Sequence, residues 1–172
     1  MVTTILGGVP AVKNPDPLLA WVSTGTEPGV APDEIERVRA LLNTDDRFHK
    51  VERLAADAPD ELRLVRDALR SYLLGGDLAE LRRVAQQHPL AVEFEAAGAR
   101  LEAGDDLVGG ILAEVYEAQR SGAWARLKAC ANPDCQWIYF DASRNRSGRW
   151  CSMGECGGVM KARAYRERSR RS

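Results

Sequence analysis

The residues best equipped for chemistry are four cysteines, Cys130, Cys135, Cys151 and Cys156, which fall close together near the C-terminus of a 172-residue chain that holds no others. Their spacing is C-x4-C-x15-C-x4-C. Each short loop can present two sulfurs to one ion, and an intervening hairpin would bring the two pairs together, which is what tetrahedral zinc requires. The first ten residues carry neither a basic leader nor a long apolar run, so the protein is expected in the cytoplasm, where thiols stay reduced and metal is favoured over disulfides. Four thiolates leave no coordination position for water. The expected cofactor is therefore one structural Zn2+ whose binding folds the module. Buried unliganded cysteines, a redox pair and an iron site are the competing readings.

A second signal is charge. Residues 128–172 carry ten basic and four acidic side chains, whereas the remainder carries fourteen basic and twenty-one acidic. An acidic body thus bears a basic tail, which suits a polyanion partner, or a tail that docks on its own body. Arg163, Arg166 and Arg170 repeat at three and four residues and so share a helix face. With Lys161 and with Arg144, Arg146 and Arg149 they form the candidate nucleic-acid set, although a basic helix end is also favoured by the helix dipole. DNA is the expected partner. A small molecule or protein at the helical part and a homodimer are further candidates, and no membrane partner is expected.

The elements that must position these residues follow from turn chemistry and periodicity. Ala131-Asn132-Pro133-Asp134 is a reversal, Trp137 to Phe140 a strand, and Asp141 to Gly148 a polar turn. Ser152 and Glu155 fit a capping box, so a helix should start there with Cys156 in its first turn, giving a treble-clef arrangement of knuckle, hairpin and helix. Upstream, Asp16 to Ser23 predicts a short helix with Leu18, Leu19 and Val22 inward, and Gly25 to Pro32 a loop. Ile35, Val38, Leu41 and Leu42 mark the next helix. Thr44 and Asp45 read as caps for another over 46–57, carried by Phe48, Val51, Leu54 and Ala55.

Leu62, Val65, Leu69, Tyr72 and Leu73 give the clearest apolar stripe, ended by Gly75-Gly76, and Asp77 can cap a helix through Leu78, Leu81, Val84 and Ala85. Alternation around Ala97-Gly98 predicts a β-hairpin over 90–102, and a helix returns from Leu107 to about Gln119. The fold class is mainly α, with a multihelical domain and a small hairpin over 1–126 and a zinc finger over 127–172.

His49 and His88 lack partners at ligand spacing and read as surface or helix-end residues. Trp137 and Trp150 read as the small core of the finger, with stacking on a base as the alternative, and Trp21 and Trp124 as buried. No nucleophile–base pair, phosphate-cradling loop or carboxylate metal motif is evident, so no enzyme is expected.

The run from Cys130 to Gly158 and the following Lys161 resemble the CGNR zinc-finger family: both cysteine pairs, Trp137, Phe140 and Asp141, the Ser143-Arg144-Asn145 turn, and Arg149 to Met153. The resemblance implies an N-terminal ABATE-type domain and a role as a stress-induced transcription regulator. The name-giving Cys-Gly-Asn-Arg reads Cys156-Gly157-Gly158-Val159 here. Zinc binding survives that change; a contact made by the family arginine does not. The leucine-rich opening, commonly closed by Asp-Phe-Val-Asn-Thr, reads Ala20-Trp21-Val22-Ser23-Thr24.

Overall fold

The structure, a computed structural model, describes residues 16–23, 29–32 and 35–170. The readings made on the first ten residues, on Thr24 and on most of the 25–32 loop lie outside the described residues.

Helix α1 (Ile35–Asn43) is buried along nearly its whole length and packs against α2 (Asp60–Leu73) and α4 (Leu107–Ser121), while α3 (Ala79–Gln87) covers α2. Leu41, Leu62, Leu69 and Ile111 are fully buried at the centre of this core. Helix α4 is capped by Asp106, whose side chain accepts from the Gly109 N–H, and closes on Gly122 at φ 80°. Helix α3 follows the Asp77 side chain, which accepts from the Ala79 N–H. Among the described residues no helix is long and apolar enough to cross a membrane.

The helix expected over 46–57 is instead a hairpin of β1 (Asp45–Asp46) and β2 (Val51–Glu52). Of the residues that suggested it, only Leu54 is buried; Phe48, Val51 and Ala55 face solvent. The Asp46 carboxylate accepts from the His49 N–H at 3.1 Å and from the Arg53 guanidinium, and Lys50 takes φ 57°. A buried carboxylate that satisfies a turn outcompetes a marginal apolar stripe. Thr44 caps nothing downstream; its hydroxyl donates to the Leu41 carbonyl and closes α1.

The expected helix over 16–23 is a single turn in which the Trp21 and Val22 N–H groups converge on the Leu18 carbonyl. Leu18 is buried, but Leu19 is exposed and Trp21 is 38% exposed, lying under the Arg53 guanidinium. Trp124 is partly buried and stacks on Tyr72, with ring centroids 5.5 Å apart. The predicted hairpin is present as β3 (Ala91–Glu95) and β4 (Gly98–Glu102), in register Val92 to Leu101.

The third ribbon pairs β5 (Leu127–Ala129) with β6 (Ile138–Phe140). It does not lie between the cysteine pairs, as the spacing suggested: Cys130 and Cys135 sit at its tip, and the connection to Cys151 is an irregular loop. A π turn (Met153–Gly157) then leads into α5 (Gly158–Ser169). The described residues thus form five α-helices and three antiparallel ribbons, of which β1–β2 is the one the mainly α expectation did not include.

The ribbon is built into the helical core. Leu127 and Ile138 belong to the same buried cluster as Leu41 and Leu69. Asn43 donates to the Ile138 carbonyl and accepts its N–H, both at 2.8 Å, and Arg70 donates to the carbonyls of Leu42 at 2.9 Å and Gln136 at 2.6 Å.

Candidate metal centre

The two cysteine pairs meet because their local chain folds in different ways. In the first, the Asn132 carbonyl accepts from the Cys135 and Gln136 N–H groups and its side chain accepts from Asp134, so the reversal between Cys130 and Cys135 is closed by its own backbone. Gln136 leaves it at φ 52° and enters β6. In the second, the Ser152 hydroxyl accepts from the Glu155 N–H, the capping contact expected from sequence, and the Gly157 N–H reaches the Ser152 carbonyl across the π turn at 2.9 Å. The extra residue in that turn carries Cys156 inward to 6% exposure, beside Cys130 at 3% and Cys135 at 6%.

All four sulfurs lie within 4.8 Å of one another. Cys135 and Cys151, and Cys151 and Cys156, are 3.7 Å apart, too far for a disulfide bond, and all four cysteines are free. A tetrahedron with Zn–S of about 2.3 Å has edges of about 3.8 Å. The spacing fits one ion held by four sulfurs.

The electrostatics make the same demand. Burial pushes the Cys135 thiol up to about 11. Burial, with the neighbouring Cys135 and Cys130 sulfurs, raises Cys151 further. At Cys130 burial also opposes ionisation, but N–H donors from Cys151 and Asn132 outweigh it and hold the thiol below its usual value. Four thiolates therefore coexist here only around a cation. The Asn132 side-chain N–H points at the Cys156 sulfur at 3.5 Å, where it supports a thiolate.

Residues 126–169 match the family model of the CGNR zinc finger. The finger and the four-sulfur cluster together make this a structural zinc site, with every coordination position filled by protein. No curated protein matches the chain.

Around the four sulfurs, Trp137 and Trp150 pack as a small core, as expected. Asp141, 4% exposed, organises the loop between the pairs: it accepts from Lys128 Nζ at 2.6 Å and from the N–H groups of Ser143 and Gly148 at 3.1 and 2.8 Å. A Cβ at Gly148 would stand 2.9 Å from that carboxylate, so the loop closes only over glycine. Burial works against the Asp141 charge, but Lys128 and the Ser143 contacts hold its pKa well below the usual carboxylate range.

Arg144, Arg146 and Arg149 are exposed on this loop, and Lys161, Arg163, Arg166 and Arg170 are exposed on and just beyond α5. The structure places these candidates on the finger but draws none of them into the zinc site. Gly158 and Val159 open α5 in solvent. His49 lies in the β1–β2 turn, with Nδ1 2.9 Å from Asp46, and His88 ends α3, with Nδ1 2.8 Å from Asp106.

Sequence reasoning missed the docking residues Asn43, Arg39 and Arg70. The one available signal was three polar residues set within the apolar stripes of α1 and α2.

Proposed function

We propose that the protein is a transcription regulator: the zinc-stapled finger binds DNA, and the helical body, an ABATE-type domain, senses a ligand or partner. One observation carries the reading. The basic candidates of the finger are exposed, and α5 has no buried residue. Arginines on a rigid support suit phosphate oxygens, and salt-dependent affinity follows from counterion release. A tail docked on the acidic body would bury those side chains. The place of action is the cytoplasm, the signal is stress, and no catalysis is assigned.

The test is fluorescence anisotropy of a labelled DNA duplex with zinc-loaded protein across a salt series. Binding that weakens steeply as salt rises supports the reading; no salt-sensitive binding at low ionic strength defeats it.

A second reading has its own observation. Met153, Val159 and Tyr165, at 58%, 58% and 66% exposure, place apolar side chains on and before the same helix. They suit a protein partner or a second copy. Under that reading Arg163→Glu with Arg166→Glu breaks a protein complex and leaves any DNA shift unchanged.

A further inference from the structure

The seam between the helical body and the finger opens into a cleft of 360 Å³. Its walls come from Trp21 and its neighbours in the first turn, from Arg39 and Asn43 on α1, from Arg53 after β2, and from Trp137 of the finger. The volume lies at the small end of the range for organic ligands, about 300–1,000 Å³.

The chemistry of the walls is specific. Among the described residues two indoles line the cleft, one from each half of the molecule, and no carboxylate does. Arg39 is already committed: it grips Glu36 through Nε at 2.6 Å and Nη2 at 2.5 Å, deep in the protein. Arg53 is different. Its Nε and Nη2 face Asp46, its Cζ lies 5.6 Å from the Trp21 ring centroid, and none of the hydrogen bonds among the described residues uses its Nη1. A guanidinium with a free edge beside an exposed indole presents two N–H donors to an anion next to a flat apolar wall.

The cleft is also well placed to matter. Arg39 and Asn43, which line it, both reach the Ile138 carbonyl, at 3.5 and 2.8 Å. Trp137 packs against the buried cysteines. A ligand here touches the side chains that dock the finger and the indole that covers its zinc site.

We propose that this cleft binds a small aromatic carboxylate, with its ring between Trp21 and Trp137 and its carboxylate on Arg53. The inference rests on the ligand-sensing half of the proposed function and is independent of DNA binding, because it is tested without DNA.

The experiment titrates zinc-loaded full-length protein with indole-3-carboxylate, following tryptophan fluorescence and calorimetry. Benzamide serves as the neutral aromatic control and butyrate as the non-aromatic anion. Saturable binding of indole-3-carboxylate is expected, at least about tenfold tighter than either control. Trp21→Ala and Arg53→Gln should each weaken it about tenfold or more, with zinc content unchanged. If Arg53→Gln fails to fold, Trp21→Ala decides, since Trp21 is a partly exposed wall residue. No saturable binding, equal binding of the controls, or full affinity in Trp21→Ala would overturn the proposal.

Discussion

The Asn43 side chain holds both backbone polar groups of Ile138, donating to its carbonyl and accepting its N–H at 2.8 Å each. A residue at the end of a body helix thus completes the edge of a finger strand as a neighbouring strand would. Both residues are buried, so neither backbone group has water to fall back on. Asn43→Ala strands the N–H, leaves the carbonyl only the 3.5 Å contact from Arg39, and should cost about 2 kcal/mol of stability. Urea denaturation of the zinc-loaded protein measures it, and a loss below about 1 kcal/mol would mean that hydrophobic packing alone docks the finger.

Zinc removal should divide the molecule. Helices α1, α2 and α4 own a core that does not involve the cysteines, whereas the second cysteine pair and α5 rest on the metal. Chelation, or Cys156→Ser, should abolish amide protection from about residue 150 through α5 while Leu41, Leu42 and Leu69 keep theirs. Hydrogen exchange followed by mass spectrometry reads both regions in one experiment. Simultaneous loss of protection in the body would show that the metal supports the entire fold.

Asp46 makes stability depend on acid. Burial opposes its charge, but the Arg53 guanidinium and the His49 contacts overcome that and bring its pKa down to about 2. The unfolded value is about 3.9, so the carboxylate contributes about 2.5 kcal/mol above pH 4, and this is lost as pH falls toward 2. The gap between wild type and Asp46→Asn should therefore be largest near neutrality and close between about pH 4 and pH 2. Denaturation of both metal-free proteins across that range isolates the effect, because zinc loss in acid is removed from the comparison.

The sequence was most legible where turn chemistry and covalent spacing act alone. The two cysteine pairs, the Ser152 cap and the 90–102 hairpin need only local contacts, and all are found where expected. The 46–57 segment misled because three of the four residues that carry its periodicity face solvent, while its fold is dictated by Asp46 and Arg53 meeting across a turn. The docking of the finger was invisible for a related reason. Asn43 and Arg70 act on backbone 95 and 66 residues away, and nothing in their own neighbourhoods announces it.

The two departures at the start of α5 give a gain-of-function test. A Cβ at Gly158 would meet nothing closer than the Met153 carbonyl at 3.6 Å, and Val159 is exposed, so both positions accept longer side chains. If the finger binds DNA, Gly158→Asn with Val159→Arg should tighten binding several-fold and steepen the salt dependence by about one phosphate contact. Unchanged affinity and slope in the anisotropy series would separate this helix end from the DNA surface.

Four thiolates hold one zinc and close its coordination sphere. X-ray absorption at the zinc edge, on purified full-length protein with its metal content measured, tests it most directly. One zinc per chain and four sulfur neighbours at about 2.3 Å are expected. A nitrogen or oxygen neighbour, or a chain that folds fully with no metal bound, would contradict it.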